Sequence, residues 1–194
     1  MVSQKGDETM RRTLVILKPD AVNRCLVGRI LSRFEEKGLK IVGMKMERLN
    51  VYKLKQHYEH LTNKPFFDEL LDYMSSIPCI LVVIEGKDSV AVVRRLAGET
   101  CGRDASPGTI RGDFSMSTQT NLIHASENDE VAKYEIERFF KPEEMFSYDK
   151  MNFNWIYCRS EKGMYTEIKD KGKSVEEIEH AKKKMMEMEQ KKEQ

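Results

Sequence analysis

Alternation between strand-like and helix-like segments is the feature that most constrains what this chain can fold into. Arg12 to Leu17, in RTLVILKPD, reads as a buried strand that ends at Lys18-Pro19-Asp20, because proline denies a ladder its donor. Leu26 to Lys37 carries Ile30, Leu31 and Phe34 at helical spacing and stops at Gly38, a C-terminal capping residue. Val42, Met44 and Met46 then alternate with Gly43, Lys45 and Glu47, the period of a half-buried second strand. Leu54, Tyr58 and Leu61, followed after Pro65 by Phe67, Leu70, Leu71 and Met74, give the stripes of a helical hairpin. Cys79 to Glu85, CILVVIE, is continuously apolar and rich in β-branched residues, as expected of a strand buried on both faces. Asp88 or Ser89 can cap a helix through Val92, Val93 and Leu96 to Gly98, and a polar, glycine-containing loop runs from Glu99 to about Thr118. Leu122 and Ile123 form a short strand before His124. Ser126 with Asp129 or Glu130 opens a last helix bearing Ala132, Ile136, Phe139 and Phe140, which stops before Pro142. This order suggests the split β-α-β arrangement of ferredoxin-like sheets.

The length of 194 residues suits one domain of ordinary size or one domain plus an appendage. The division expected is an N-terminal arm over 1–11, a domain over 12–160 and an extension over 161–194. After Tyr165 the chain has no further aromatic residue and no proline, which suits a solvated helix or a disordered tail. Within it, Val175, Ile178, Ala181 and Met185 could share one side of a helix that docks on a neighbour. The formal charge is +1, so no net field draws the whole protein to nucleic acid or acidic lipid, and any anion site must be local. Nucleic acid is therefore not expected as a main partner. Cys25, Cys79, Cys101 and Cys158 show neither metal-type nor disulfide-framework spacing and read as reduced thiols of a cytoplasmic protein. No run is long and apolar enough for a signal peptide or a membrane span.

Two familiar nucleotide signals fail. Gly172-Lys173-Ser174 resembles the end of a phosphate-binding loop, but the position its first glycine requires is Glu167. No G-x-G-x-x-G occurs anywhere in the chain. The informative constellation is His124 at a strand-to-helix junction, together with Lys18, Arg94, Thr100, Arg111 and Asn121 arriving from elsewhere in the sequence. A lone histidine is usually structural, and most basic residues sit in surface ion pairs. Lys18, however, ends a buried strand, where ligands are often met, and arginine and lysine suit phosphate because phosphoryl transfer needs charge stabilisation and alignment. A neutral imidazole is a competent nucleophile, and Glu135 with Ser126 could orient it from the following helix. Tyr58 reads as ordinary core, whereas Phe66 falls off the apolar stripe and is available to stack on a base.

Taken in order, TLVILKPDAV, LVGRILSRFEEKG, KQHYEHL, KPFFDELLDYM, GETCGRDASPGTIRGDF and NLIHASEN resemble the nucleoside diphosphate kinases. The resemblance runs from about Arg12 to Trp155. It implies an α+β fold, a ferredoxin-like β-α-β-β-α-β sandwich with an antiparallel four-stranded sheet, to which this chain adds its charged C-terminal extension. It also implies a homo-oligomer, with a hexamer favoured over a tetramer, that moves the γ-phosphate of a nucleoside triphosphate to a nucleoside diphosphate and so maintains NTP and dNTP pools. His124 would be the nucleophile, attacking through Nδ1 and becoming phosphohistidine in a ping-pong cycle, with Ser126 and Glu135 orienting it. Arg94, Thr100 and Arg111 would face phosphates. Lys18 and Asn121 would meet the ribose hydroxyls, Lys18 also reaching the γ-phosphate, while Tyr58 is a further nucleotide contact and Phe66 the base-stacking ring. Mg2+ would be carried by the nucleotide phosphates, with no dedicated protein ligands. The usual histidine-glycine-serine-aspartate is His124-Ala125-Ser126-Glu127 here, which matters if the backbone at Ala125 needs positive φ. Two competing readings are a regulatory or nucleic-acid-binding oligomer, and an extension that recruits a partner or sets assembly.

Overall fold

The computed structural model describes residues 10–150 and 152–158. Most of the expected N-terminal arm and the whole 161–194 extension, including the Val175 to Met185 stripe, lie outside them. Met10–Met151 forms one unit. Its four strands are β1 (Met10–Leu17), β2 (Lys40–Glu47), β3 (Cys79–Lys87) and β4 (Ile123–Ala125), in the order β2-β3-β1-β4, with every neighbouring pair antiparallel. The helices are α1 (Pro19–Asn23), α2 (Val27–Glu36), α3 (Val51–His57), α4 (Phe67–Ser76), α5 (Ser89–Ala97), α6 (Ile110–Phe114) and α7 (Asp129–Phe139). Residues 152–158 belong to a second unit and hold one short helix, Phe153–Ile156, whose Trp155 is exposed.

β1 and β3 are central strands, and the pleat sends their residues alternately to two cores. Leu14, Ile16, Leu81 and Val83 meet Leu54 of α3, Phe67, Leu70 and Met74 of α4, and Ile136 and Phe139 of α7. Val15, Leu17, Val82 and Ile84 meet Ile30 and Phe34 of α2, Val93 of α5 and Ile110 of α6 on the other face. Burial on both faces is why these strands read as unbroken apolar runs.

β2 departs from the pattern its sequence suggests. Met44 and Met46 are 56% and 58% exposed, although Val42 is buried. The pairing steps from Ile41 opposite Ile84 to Gly43 opposite Val83, so Val42 is the extra residue of a bulge. One extra residue reverses the parity of all that follow it. Val42 therefore packs in the first core, while Met44, opposite Val82, turns to the other face at the open edge of the sheet.

Three further details differ from the sequence reading. The KPD segment continues as α1, a short helix with Pro19 at its start. The polar loop after Gly98 contains α6, capped by the Thr109 side chain, which accepts a hydrogen bond from the Gly112 N–H at 3.0 Å. The cap of α7 is Asn128, accepting from the Val131 N–H at 2.9 Å, because the Ser126 hydroxyl is engaged elsewhere.

Candidate functional site

β1, α4, α5, the loop around α6 and β4 converge on a cavity of about 910 Å³. Lys18, Tyr58, Phe66, Arg94, Thr100, Arg111, Asn121 and His124 all line it, so eight of the ten residues singled out by sequence meet at one cavity. The other two, Ser126 and Glu135, stand behind His124.

His124 lies within β4, with its backbone opposite Ile16 of β1. Its Nε2 is 2.9 and 3.1 Å from the two carboxylate oxygens of Glu135, which reaches back from the middle of α7. The Ser126 hydroxyl donates to Glu135 Oε2 at 2.6 Å and accepts from the Leu14 N–H at 3.2 Å. Burial would push the Glu135 carboxyl up, but the hydrogen bonds from His124 and Ser126 outweigh it and hold the group below the usual carboxylate range. An ionised Glu135 fixes the proton of His124 on Nε2, which leaves Nδ1 with the lone pair.

The polar wall is wired to the backbone before any ligand arrives. Lys18 Nζ donates to Asn121 Oδ1 at 2.7 Å, and Asn121 Nδ2 donates to the carbonyls of Thr100 and Thr118. Arg111 spreads its guanidinium over the carbonyls of Gly98, Asn121 and Ile123. Gly98 can accept this contact because its φ of +81° suits glycine, and a Cβ there would stand 2.4 Å from Thr109 Oγ1. Burial, then the field of Arg111, lowers Lys18 to about 8. Burial, then the neighbouring Arg94, lowers Arg111 to about 10, so it stays charged at neutral pH. Phe66, 41% exposed, lines the same cavity with Leu70 and gives it an apolar patch.

Sequence reasoning passed over two features. His57, three residues after Leu54 on the buried stripe of α3, packs edge-on to His124 with ring centroids 4.5 Å apart, and neither of its ring nitrogens has a hydrogen-bond partner. Burial and the adjacent His124 hold it well below the usual histidine range, so it is neutral. Leu122 adopts φ +72°, clamped by Asp20, whose Oδ2 accepts from its N–H at 3.1 Å, and by the Lys18 N–H, which donates to its carbonyl at 2.8 Å. The Tyr73 hydroxyl donates to the other oxygen of Asp20. Position i+3 on an apolar stripe pointed to His57, whereas the Asp20 clamp joins residues too far apart in sequence to be seen there.

The family model described as nucleoside diphosphate kinase matches residues 11–145. The chain belongs to the nucleoside diphosphate kinase family. It is 52% identical over 152 residues to the nucleoside diphosphate kinase of Parabacteroides distasonis, covering 78% of this chain and 99% of that one. It is 52% identical over 149 residues to that of Pyrococcus horikoshii, covering 75% and 94%. Among solved structures it is similar to the halophilic nucleoside diphosphate kinase of Halobacterium salinarum in complex with CDP, with TM-score 0.75 and 42% identity over 76% of this chain and 99% of that one.

The fold is the antiparallel α+β sandwich expected of a nucleoside diphosphate kinase. Against the usual motif of the family, Ala125 costs nothing in backbone terms. It lies in β4 opposite Val15, and it is not among the described non-glycine residues with positive φ. Glu127 is exposed, outside the hydrogen-bonded His124-Glu135-Ser126 group.

Proposed function

We propose that the chain transfers the γ-phosphate of a nucleoside triphosphate, typically ATP, to a nucleoside diphosphate through a phosphohistidine at His124, and so maintains NTP and dNTP pools. The observation that carries this reading is the pairing of His124 Nε2 with Glu135, which leaves Nδ1 as the nucleophilic nitrogen on a cavity wall lined with Lys18, Arg94 and Arg111. In the first half-reaction the Nδ1 lone pair forms a bond to the γ-phosphorus, the bond to the β–γ bridging oxygen breaks, and the diphosphate leaves with that electron pair. Glu135 holds the Nε2 proton throughout and offsets the positive charge that grows on the ring. The second half-reaction runs this sequence in reverse with another diphosphate.

Arg94, Arg111 and Thr100 are assigned to the phosphates, Lys18 and Asn121 to the ribose hydroxyls, with Lys18 also reaching the γ-phosphate, and Tyr58 to nucleotide contact. Phe66 is assigned to the base. A stacked ring reads no base edge, so purine, pyrimidine, ribo and deoxy substrates are all accepted. The acceptor set fits magnesium only as a phosphate-bound ion. Glu99 is the single carboxylate on a wall otherwise rich in cations, and a hard divalent ion needs oxygen ligands. When bound with the nucleotide, Mg2+ supplies charge neutralisation on the phosphate oxygens.

The protein is assigned to the cytoplasm, as a homo-oligomer with a hexamer favoured over a tetramer. Support for assembly comes from β2, an edge strand that presents Met44 and Met46 to solvent in the single chain. No described helix is long and apolar enough to cross a membrane. The deciding experiment incubates wild type and His124→Ala with γ-labelled ATP and magnesium, then adds GDP. Label is expected on the wild type alone and should pass to GDP, while the variant still binds ATP. An unlabelled but folded wild type would overturn the reading.

A further inference from the structure

His57 is an unexplained expense: a buried imidazole with both nitrogens unpaired, a situation that proteins generally avoid. It is not idle in its placement. Its Nδ1 stands 3.6 Å from Glu135 Oε1, too far for a hydrogen bond, and the same oxygen is 2.9 Å from His124 Nε2. One ligand atom from each of His57, His124 and Glu135 can be chosen so that all three lie within 4.8 Å of one another. In a tetrahedral zinc site with bonds of about 2.0–2.1 Å, neighbouring ligand atoms are about 3.4 Å apart. The two distances to Glu135, 2.9 and 3.6 Å, bracket that spacing, and with all three atoms within 4.8 Å of one another the two imidazoles need to draw together to complete it.

We propose that His57, His124 and Glu135 form an inhibitory site for a borderline-soft divalent cation such as Zn2+, bound behind the nucleophile. Two imidazoles and one carboxylate suit zinc, copper or nickel, whereas magnesium prefers an all-oxygen shell and stays with the phosphates. Of the three, His124 alone lines the cavity, so an ion reaches the site from solvent past its ring.

The consequence for catalysis follows from the bookkeeping of one proton, and this part rests on the function proposed above. A neutral imidazole has one N–H and one lone pair. Glu135 draws the proton to Nε2 and leaves the lone pair on Nδ1 for attack. A cation on Nε2 takes the lone pair there, so the proton must sit on Nδ1, and the attacking nitrogen has nothing to attack with. The metal on Nε2 therefore bars attack through Nδ1, and it inhibits by trapping the ring in the tautomer that cannot be phosphorylated.

The test uses the full chain, stripped of metal and nucleotide, with Co2+ as the spectroscopic probe for a zinc site. One Co2+ per chain is expected with the visible absorption of a four- or five-coordinate ion, displaced by Zn2+. In His57→Gln the affinity should fall roughly tenfold or more, since losing a ligand costs at least as much as losing an outer partner. Zn2+ added before ATP should slow labelling until a chelator is supplied. No band in the wild type, a band unchanged in folded His57→Gln, or labelling unaffected by bound Zn2+ overturns the site. If His57→Gln does not fold, His124→Ala, which removes another of the three ligands, decides instead: a band unchanged there overturns the site. A His57-dependent band in a protein that takes no label would leave the metal site standing and remove the phosphotransfer reading; label without a band would do the reverse.

Discussion

At the scale of single residues the site is a contest between burial and charge, and Lys18 shows which wins. Its ammonium is buried at the end of β1 and its one strong side-chain partner, Asn121, is neutral, so the charged form is disfavoured until an anion arrives. With its pKa lowered to about 8 in the free protein, Lys18 is mostly charged at pH 7 and mostly neutral at pH 9. A bound polyphosphate favours the ammonium and raises that value again, so binding takes up a proton above pH 8. Nucleotide affinity is therefore expected to fall by about tenfold between pH 7 and pH 9, the loss set by the neutral fraction of the free form. Titrating a nucleoside diphosphate at several pH values checks this, with Lys18→Met as the control that should bind weakly with a flat profile over the same range. An equally flat wild-type profile would mean that Lys18 contributes no charge to binding. The same logic makes Glu135 a stable anion: it carries two hydrogen bonds from His124 and Ser126, and these offset the cost of its burial.

At the scale of elements, strained backbone is what brings the site together. Leu122 lies between Asn121 and the Ile123-His124 pair, its left-handed φ is uncommon for a residue with a side chain, and Asp20 at the start of α1 holds that peptide while Tyr73 of α4 holds Asp20. Asp20→Ala leaves the Leu122 N–H and the Tyr73 hydroxyl without their acceptor. A hydrogen bond to a charged group contributes about 1.5–3 kcal/mol, which corresponds to roughly 3–12 °C in Tm for a protein of this size. Thermal unfolding of Asp20→Ala should show a loss in that range, with Asp20→Asn between variant and wild type because its amide oxygen can still accept. An unchanged Tm would remove the clamp from the account. The same elements show what a sequence discloses. β1, β3 and the stripes of α2, α4 and α7 were legible because burial on one or two faces writes a period into the chain. The parity of β2 was not, since a single bulged residue reverses it. Nor was α6, a five-residue helix held by the Thr109 cap and by Arg33 on Asp113, contacts that leave no period. The chemical types at the cavity were legible in their motifs, while the Asp20-Leu122 clamp exists only once β1 and β4 are paired.

At the scale of the whole molecule, the question is what the charged extension adds to a fold that is already closed around its site. Every residue assigned a role lies between Lys18 and Glu135, the family match ends at residue 145, and the unit that contains the cavity is Met10–Met151. The two cores that position β1, β4 and α7 also draw all their buried residues from that unit. We propose the domain boundary near residue 160, with 161–194 as an appendage to the catalytic fold. A chain ending at Ser160 is then expected to keep nucleotide binding and phosphotransfer within about twofold of the full chain, since it retains every residue of both cores and of the cavity. Steady-state transfer from ATP to a second nucleoside diphosphate measures activity, and sedimentation of both proteins compares their assembly. Equal activity with equal mass would leave the extension a role in binding other partners. Equal activity with a smaller assembly would make it the element that holds copies of the chain together, because the Met44 and Met46 edge alone would have failed to do so. Loss of transfer in a folded truncated chain would mean that the extension completes the site, and the boundary near 160 would fall.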